Sequence, residues 1–210
     1  MSRYVITQSL LSSWLYVHNC YPGCEEDAMA AFLNALRKEP EDISEDQLQN
    51  IQNGIAFESA VYATALGRNR NEFPKWERGI REVASFIKDA QFQVKLSRQL
   101  QLGNMTFLVT GVLDGLRAGT IFDVKFKNKS FGSLDLAGNY FGSPQHSTYF
   151  YLVPEAREFL YLVSDGIDLY IERYTPEETV KLESLISEFM AFLKASNLMD
   201  VYLEYWKALS

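Results

Sequence analysis

Three short segments of this chain hold residue types that can do chemistry together: Gly111-Val112-Leu113-Asp114, Asp123-Val124-Lys125 and Gln145-His146-Ser147-Thr148-Tyr149. Two carboxylates and an ammonium on adjacent strands suit phosphodiester hydrolysis assisted by a hard cation. Strand side chains alternate between faces, so Asp123 and Lys125 share one face while Val124 points to the other. With Asp114 facing the same way on the neighbouring strand, the two aspartates and the Val124 carbonyl offer three oxygen ligands to Mg2+ or Mn2+. Such an ion lowers the pKa of a bound water and steadies charge on a phosphoryl oxygen. Lys125 would orient that water or offset the developing charge. Alone, Asp-x-Lys says little: as an exposed ion pair it is worth under about 1 kcal/mol, and Asp114-Gly115 also fits a turn. Context favours the chemical reading, because Thr120-Ile121-Phe122 and Val124 place Asp123 in a central strand, where an acid needs a partner.

The elements that must position these groups follow from periodicity. Ile6, Leu10, Trp14 and Val17 form one stripe and predict a short helix over 6–17, broken at Pro22-Gly23. A second helix spans about 25–37. Ser44 with Gln47 three residues on is a capping box, and its helix runs through Ile51, Ile55, Glu58 and Tyr62 to Gly67. Pro74 opens another helix, through Trp76, Ile80, Val83 and Ile87. From Phe92 the period becomes two: Phe92, Val94 and Leu96 alternate with polar residues, Gly103-Asn104 and Ala118-Gly119 turn, and strands cover about 106–116 and 120–126. This is a meander of three antiparallel strands. A loop over 127–144 leads into a helix over 144–153. Strands at 158–163 and 167–174 flank Asp165-Gly166, a hairpin signal. Thr175 and Pro176 then open a C-terminal helix spanning 175–210, with Leu182, Leu185, Ile186, Phe189 and Phe192 on its apolar face. The order predicts an α+β fold around a central mixed sheet.

The 210 residues, 47% hydrophobic and 22% charged, fit one domain, mainly helical over 1–90 and with its catalytic sheet over 91–174. No apolar run approaches the roughly 18 residues that span a bilayer, and the N-terminus lacks the build of a signal peptide, so a cytoplasmic location and no membrane partner are expected. The net charge of −7 argues against a protein that coats nucleic acid non-specifically, yet it is compatible with acids gathered at a metal site beside a local basic groove. Cys20 and Cys24, with only His18 and His146 to complete a site, read as free thiols.

Gly-x-x-Asp at 111–114, Asp-x-Lys at 123–125 and Gln-x-x-x-Tyr at 145–149 together resemble the RecB-like branch of the PD-(D/E)XK nuclease superfamily. The resemblance implies a restriction-endonuclease-like core in αβββαβ order. It implies that Asp114 and Asp123 are metal ligands, Lys125 the catalytic lysine, and Gln145 with Tyr149 the motif of a helix packed beside them. The same branch supplies a further metal residue in a Gly-x-x-x-Glu pattern, matched here by Gly54 and Glu58, and Thr7-x-Ser9-x-Leu11-x-x-Trp14 resembles its usual opening. Departures are equally plain. Val17 stands where many relatives carry an iron–sulfur cysteine, so no cluster is expected, and no phosphate-binding Gly-x-x-x-x-Gly-Lys loop is present. Lys127-Asn128-Lys129 replaces the usual Thr-Gly after the lysine.

The resulting expectation is a standalone Mg2+- or Mn2+-dependent DNA nuclease, an exonuclease rather than an endonuclease, acting in recombination, repair or phage DNA processing. A separate helicase, recombinase or single-strand-binding protein would be its partner, and an oligomer is compatible. DNA would approach over the loop at 127–142, with Lys127 and Lys129 on phosphates and Phe131, Tyr140 or Phe141 stacked on bases. The basic loop at 67–71 is a second backbone contact. The alternatives are a nuclease fold used as a DNA-binding or protein-docking module, and a hydrolase of RNA or nucleotides.

Overall fold

A computed structural model describes residues 3–40, 43–68, 73–133 and 136–208. Among the described residues six strands form one mixed sheet: β1 (Arg3–Thr7), β2 (Gln91–Leu102), β3 (Met105–Arg117), β4 (Thr120–Phe126), β5 (Glu158–Ser164) and β6 (Leu169–Tyr174). The described residues also form seven α-helices around it: α1 (Gln8–Asn19), α2 (Glu25–Arg37), α3 (Glu45–Ala65), α4 (Glu77–Ile87), α5 (Pro144–Leu152), α6 (Leu182–Ala195) and α7 (Met199–Tyr205). The fold is α+β with the sheet between two helical layers. Against one face, α1, α2, α5, α6 and α7 bury Leu10, Trp14, Phe32, Phe189 and Tyr202 over Phe107, Val109, Leu113, Ile121, Phe159 and Tyr161. Against the other, α3, α4 and the 3-10 turn at Pro74–Trp76 that leads into α4 bury Phe57, Val61, Trp76, Ile80 and Val83 over Phe122, Val124 and Leu162. Each such side chain contributes about 1.5–3 kcal/mol relative to exposure.

β3 organises the sheet. Along one edge it pairs antiparallel with β2 from residue 105 to 116. Its other edge is divided: β1 runs parallel to residues 106–110, and β4 runs antiparallel to residues 115–117. Between them residues 111–114 have no strand partner on that edge. β4 continues parallel to β5, and β5 antiparallel to β6.

Several expectations are corrected. Arg3–Thr7 is a strand, and the first helix begins at Gln8 with the Thr7 hydroxyl accepting from Leu10 N. Ile6 is buried in the strand, and only its accidental phase with Leu10 placed it on a helical stripe. The order thus begins with a strand before the predicted αβββαβ succession, while the strand expected over 167–174 is β6, starting at Leu169. The C-terminal helix expected over 175–210 is three pieces. Thr175 does cap a turn, but it is a 3-10 turn at Pro176–Glu178. Thr179 then leaves helical space, α6 starts at Leu182, and Asn197 with a φ of 58° separates α6 from α7. Phe92 does not share a face with Val94 and Leu96: it packs on the α3–α4 layer and they pack on the other. The Ser44 capping box and the Asp165-Gly166 hairpin stand as read, Gly166 taking a φ of 94°. No helix among the described residues is long and apolar enough to cross a membrane.

Candidate active site

The division of β3's edge creates the site. Asp114 closes the unpaired stretch, and its Oδ2 accepts from Val124 N across the gap at 3.0 Å, standing in for a backbone partner. A strand residue's N–H and C=O leave on the same edge, so the Val124 carbonyl opens onto the same gap. Asp123, 1% exposed, points to the α5 layer, where Gln145 Nε2 donates to its Oδ1. Its Oδ2 lies 2.6 Å from Lys125 Nζ, and beyond that ion contact it is buried without a hydrogen-bond partner. Tyr149, one turn after Gln145, donates to the Val112 carbonyl at 2.8 Å and fills the unpaired edge of β3. Gly111 makes room for it: a Cβ there would lie 2.8 Å from Tyr149 Cε1.

Glu58 enters from the opposite layer. It sits on α3, half-buried, and its Oε1 accepts from the Tyr62 hydroxyl and from Gln93 Nε2 at 2.9 Å. Gln93 lies opposite Asp114, since Phe92 pairs with Gly115 and Val94 with Leu113, but a φ of 52° takes its backbone out of the ladder. A non-glycine residue in the left-handed region costs about 1–2 kcal/mol. This step is where the β2–β3 hairpin turns over. Phe92 faces α3 while Val94 faces α5, and Leu113 and Leu116 share a face three residues apart. The turnover leaves Asp114 at the boundary between layers, in electrostatic range of Glu58, Asp123 and Lys125.

Crowding acids in a half-dry gap shifts their protonation. Burial pushes the Asp114 carboxyl up to about 8, with the Asp123 and Glu58 charges adding to the push and Lys125 and the Val124 N–H opposing it. Burial raises Asp123 too, countered by Lys125, Gln145 and Asp114. With Asp123 in the ion pair, the shared proton belongs on Asp114. Burial pulls the Lys125 ammonium down, but Asp123, Asp114 and Glu58 outweigh it, so Lys125 stays a cation. Burial raises Tyr62 and Tyr149.

The donor set is all oxygen, as a hard divalent ion requires. The crowding of Asp114, Asp123 and Glu58 beside the open Val124 carbonyl is a concentration of negative charge that Lys125 alone offsets among the neighbours named here. Among the described residues no three acidic, histidine or cysteine side chains converge closely enough to grip one ion in this arrangement. Lys125, Gln145, Val124 N, Tyr62 and Gln93 engage the carboxylates instead.

The loop expected to receive DNA is partly folded onto the protein. Phe131 packs on the core, and Tyr140 stacks on Tyr161 at 4.2 Å, because an aromatic ring gains more from burial than from standing in water. Phe141, 72% exposed, is the ring left free for stacking. Lys127 Nζ lies 5.7 Å from the Tyr140 ring centroid, and Lys129 is exposed. Asn128 fastens this stretch to α3 by donating to Asn50 and accepting from Asn53. His146 is turned from the gap, stacked on Tyr174 at 4.4 Å, and burial lowers its pKa to about 4. Asn69, Arg70 and Asn71 of the basic loop lie outside the described residues. Cys20 and Cys24 are free thiols. A groove of about 500 Å³ runs from Thr7 and Ser9 past Lys95 to Gly111 and Tyr149.

Tyr62 and Gln93 have no assigned role in the sequence pattern. Tyr62 had a signal, four residues after Glu58 on the same helical face. Gln93 had none, since a polar residue in an alternating strand reads as solvent-facing.

No protein-family model matches the chain, and no curated protein matches it. Solved structures do. The crystal structure of SSO0001 overlaps with a TM-score of 0.50 at 11% identity, covering 93% of this chain and 78% of that one. That of Rai1 from Scheffersomyces stipitis overlaps with a TM-score of 0.35 at 14% identity, covering 90% and 61%. The likeness to SSO0001 shows a shared fold alone.

Proposed function

We propose that the chain is a divalent-metal-dependent DNA nuclease of the PD-(D/E)XK type, RecB-like branch. The observation that carries this reading is the meeting of Asp114, Asp123 and Lys125 at the unpaired edge of β3, with Gln145 reaching Asp123 from α5. Mg2+ or Mn2+, held by Asp114, Asp123, the Val124 carbonyl and Glu58, would supply an acidified water and a counter-charge for the phosphate. Hydrolysis forms a P–O bond to the water oxygen and breaks the P–O bond to the leaving sugar oxygen. Lys125, kept cationic by its acidic neighbours, stabilises negative charge on the non-bridging oxygens. Gln145 fixes the Asp123 carboxylate, and Tyr149 holds the open β3 edge. Lys127 and Lys129 contact backbone phosphates, Phe141 stacks on a base, and the groove ending at Gly111 and Tyr149 gives a strand its path. Exonuclease action in recombination, repair or phage DNA processing is the finer form of the reading, with a separate helicase, recombinase or single-strand-binding protein as its partner.

End-labelled linear and closed circular DNA, incubated with Mn2+ or Mg2+, tests it. Digestion by the wild type and none by Asp123→Ala is expected, confined to linear DNA for an exonuclease. Equal loss of DNA with both proteins, or no loss with either, refutes it. A docking module is the second reading, favoured by an apolar stripe left in solvent on α3, where Leu48, Ile51 and Ile55 are 46%, 48% and 59% exposed.

A further inference from the structure

Asp123 stands between Lys125 and Gln145 at the centre of the cluster, yet at 1% exposure it is shut off from solvent. Its face of the sheet continues across two more strands. Asp123 pairs with Tyr161 on β5, and Tyr161 with Glu172 on β6, so the three side chains form one row. A strap over 138–143 covers that row. The Tyr140 ring lies on the Tyr161 ring, 4.2 Å away and 15° from parallel, and Tyr140 N donates to Glu172 Oε1 at 3.2 Å. The Tyr174 hydroxyl donates to the same oxygen. Ser143 ends the strap, its hydroxyl capping α5 by accepting from Gln145 N. Two atoms beneath the strap are left over. The Tyr140 hydroxyl and Glu172 Oε2 are buried with no hydrogen-bond partner among the described residues, and Glu172 is 7% exposed. An unpaired buried polar atom favours any state that returns it to water.

We propose that 138–143 is a lid over Asp123, latched by Glu172, which lifts as a unit to let a phosphodiester reach the acid. What enters rests on the nuclease reading; the motion does not. Closed, the lid gains the Tyr140–Tyr161 stack and the bond to Glu172. Open, it hydrates a phenol and a carboxylate oxygen that the closed state leaves unpaired. The segment holds together as it moves, because Phe141 N donates to Gly138 O and Ser143 N to Tyr140 O. Gly138, with a φ of 74°, and Gly142 are the hinges, and a Cβ on either would meet nothing within 4 Å. Phe141, already 72% exposed, has no packing to lose.

Hydrogen exchange of the full chain, read by mass spectrometry on peptides from the strap and from β5, follows the lid without substrate. In the wild type the strap should exchange at least about tenfold faster than β5. Glu172→Ala cuts the latch and should speed the strap by a further tenfold or so. Tyr140→Phe keeps the ring and the backbone donor but removes the unpaired hydroxyl, so the strap should slow by about threefold or more. A merely structural loop would be unmoved or loosened by that change. If Glu172→Ala does not fold, Tyr140→Phe decides alone. Cleavage of end-labelled DNA by Tyr140→Phe should slow in step with exchange. A strap as protected as β5, exchange that Tyr140→Phe leaves unchanged or hastens, or cleavage that ignores slowed exchange overturns the lid and leaves the nuclease reading standing. A wild type that cuts no DNA overturns the nuclease reading, and the exchange of Tyr140→Phe still decides the lid.

Discussion

Asp114→Asn should stabilise the metal-free protein while abolishing cleavage. The folded protein holds a proton on Asp114 up to about pH 8, whereas the unfolded chain releases it near the ordinary value of 3.8. Between those values the folded state binds more protons, so this group's contribution to stability falls as pH rises and stays lost above pH 8. Four pH units correspond to roughly 6 kcal/mol as a ceiling. Asp114 is half-buried, and water together with Lys125 screens it, so about 1–3 kcal/mol is the working figure. Asparagine presents the neutral form at every pH, still accepts from Val124 N and can donate to Asp123. Thermal unfolding in chelator, for both proteins from pH 5 to pH 9, reads the combined effect of removing the Asp114 charge and of relieving its coupled neighbours Asp123 and Lys125. The variant should melt higher by about 3–10 °C at pH 9, and the gap should close toward pH 5. Adding Mn2+ should raise the wild-type midpoint and leave the variant's nearly unmoved. A variant less stable at pH 9, or a gap independent of pH, would refute the picture of acids crowded without compensation.

His146 works at the other end of the pH scale: buried and neutral, with its pKa pulled to about 4, it costs stability as pH falls from 6.5 toward 4. His146→Gln should flatten that acid limb in the same melts. Gly111→Ala forces a Cβ against Tyr149 and Leu152, so the midpoint should drop by the equivalent of about 1–3 kcal/mol, with cleavage impaired further as Tyr149 leaves the Val112 carbonyl. Lys127→Ala combined with Lys129→Ala should lower DNA affinity and flatten the slope of log K against log salt by roughly 1–2, read by fluorescence anisotropy with Ca2+ in place of Mn2+.

What the sequence disclosed was local. Helix α2 ends where Arg37 meets Lys38, whose φ of 56° closes it, and the helix over 25–37 needed nothing but its own periodicity. The Ser44 box, the three-strand meander and the Asp165-Gly166 turn likewise depend on neighbours a few residues away. β1 was hidden because its partner is β3, a hundred residues on, and five residues give period-two alternation little room. The breaks at Thr179 and Asn197 were hidden because the apolar face of α6 masks them. At the candidate site the types and spacing of Asp114, Asp123, Lys125, Gln145 and Tyr149 announced a cluster, and the fold brings them together. Gln93 could not announce itself: its importance lies in a backbone angle, which no side-chain pattern encodes. The tail was open to two readings, and it packs within the chain, Tyr202 being buried and Trp206 donating to the Leu36 carbonyl.

β1 is gripped from both sides, by β3 at 106–110 and by residues 206–208, with Val5 N donating to Trp206 O and Ala208 N to Arg3 O. Closing loops of that length is entropically slow, and contacts distant in sequence delay folding. β1 precedes the other described strands in the chain, yet it must be among the last of them to find its seat. Asp114 and Asp123, by contrast, lie on a single hairpin and meet early. Thr7 and Ser9, at the mouth of the groove, arrive only with β1. A folding chain thus assembles its acidic cluster well before the groove beside it, and hydrogen-exchange protection during refolding should reach β4 before β1.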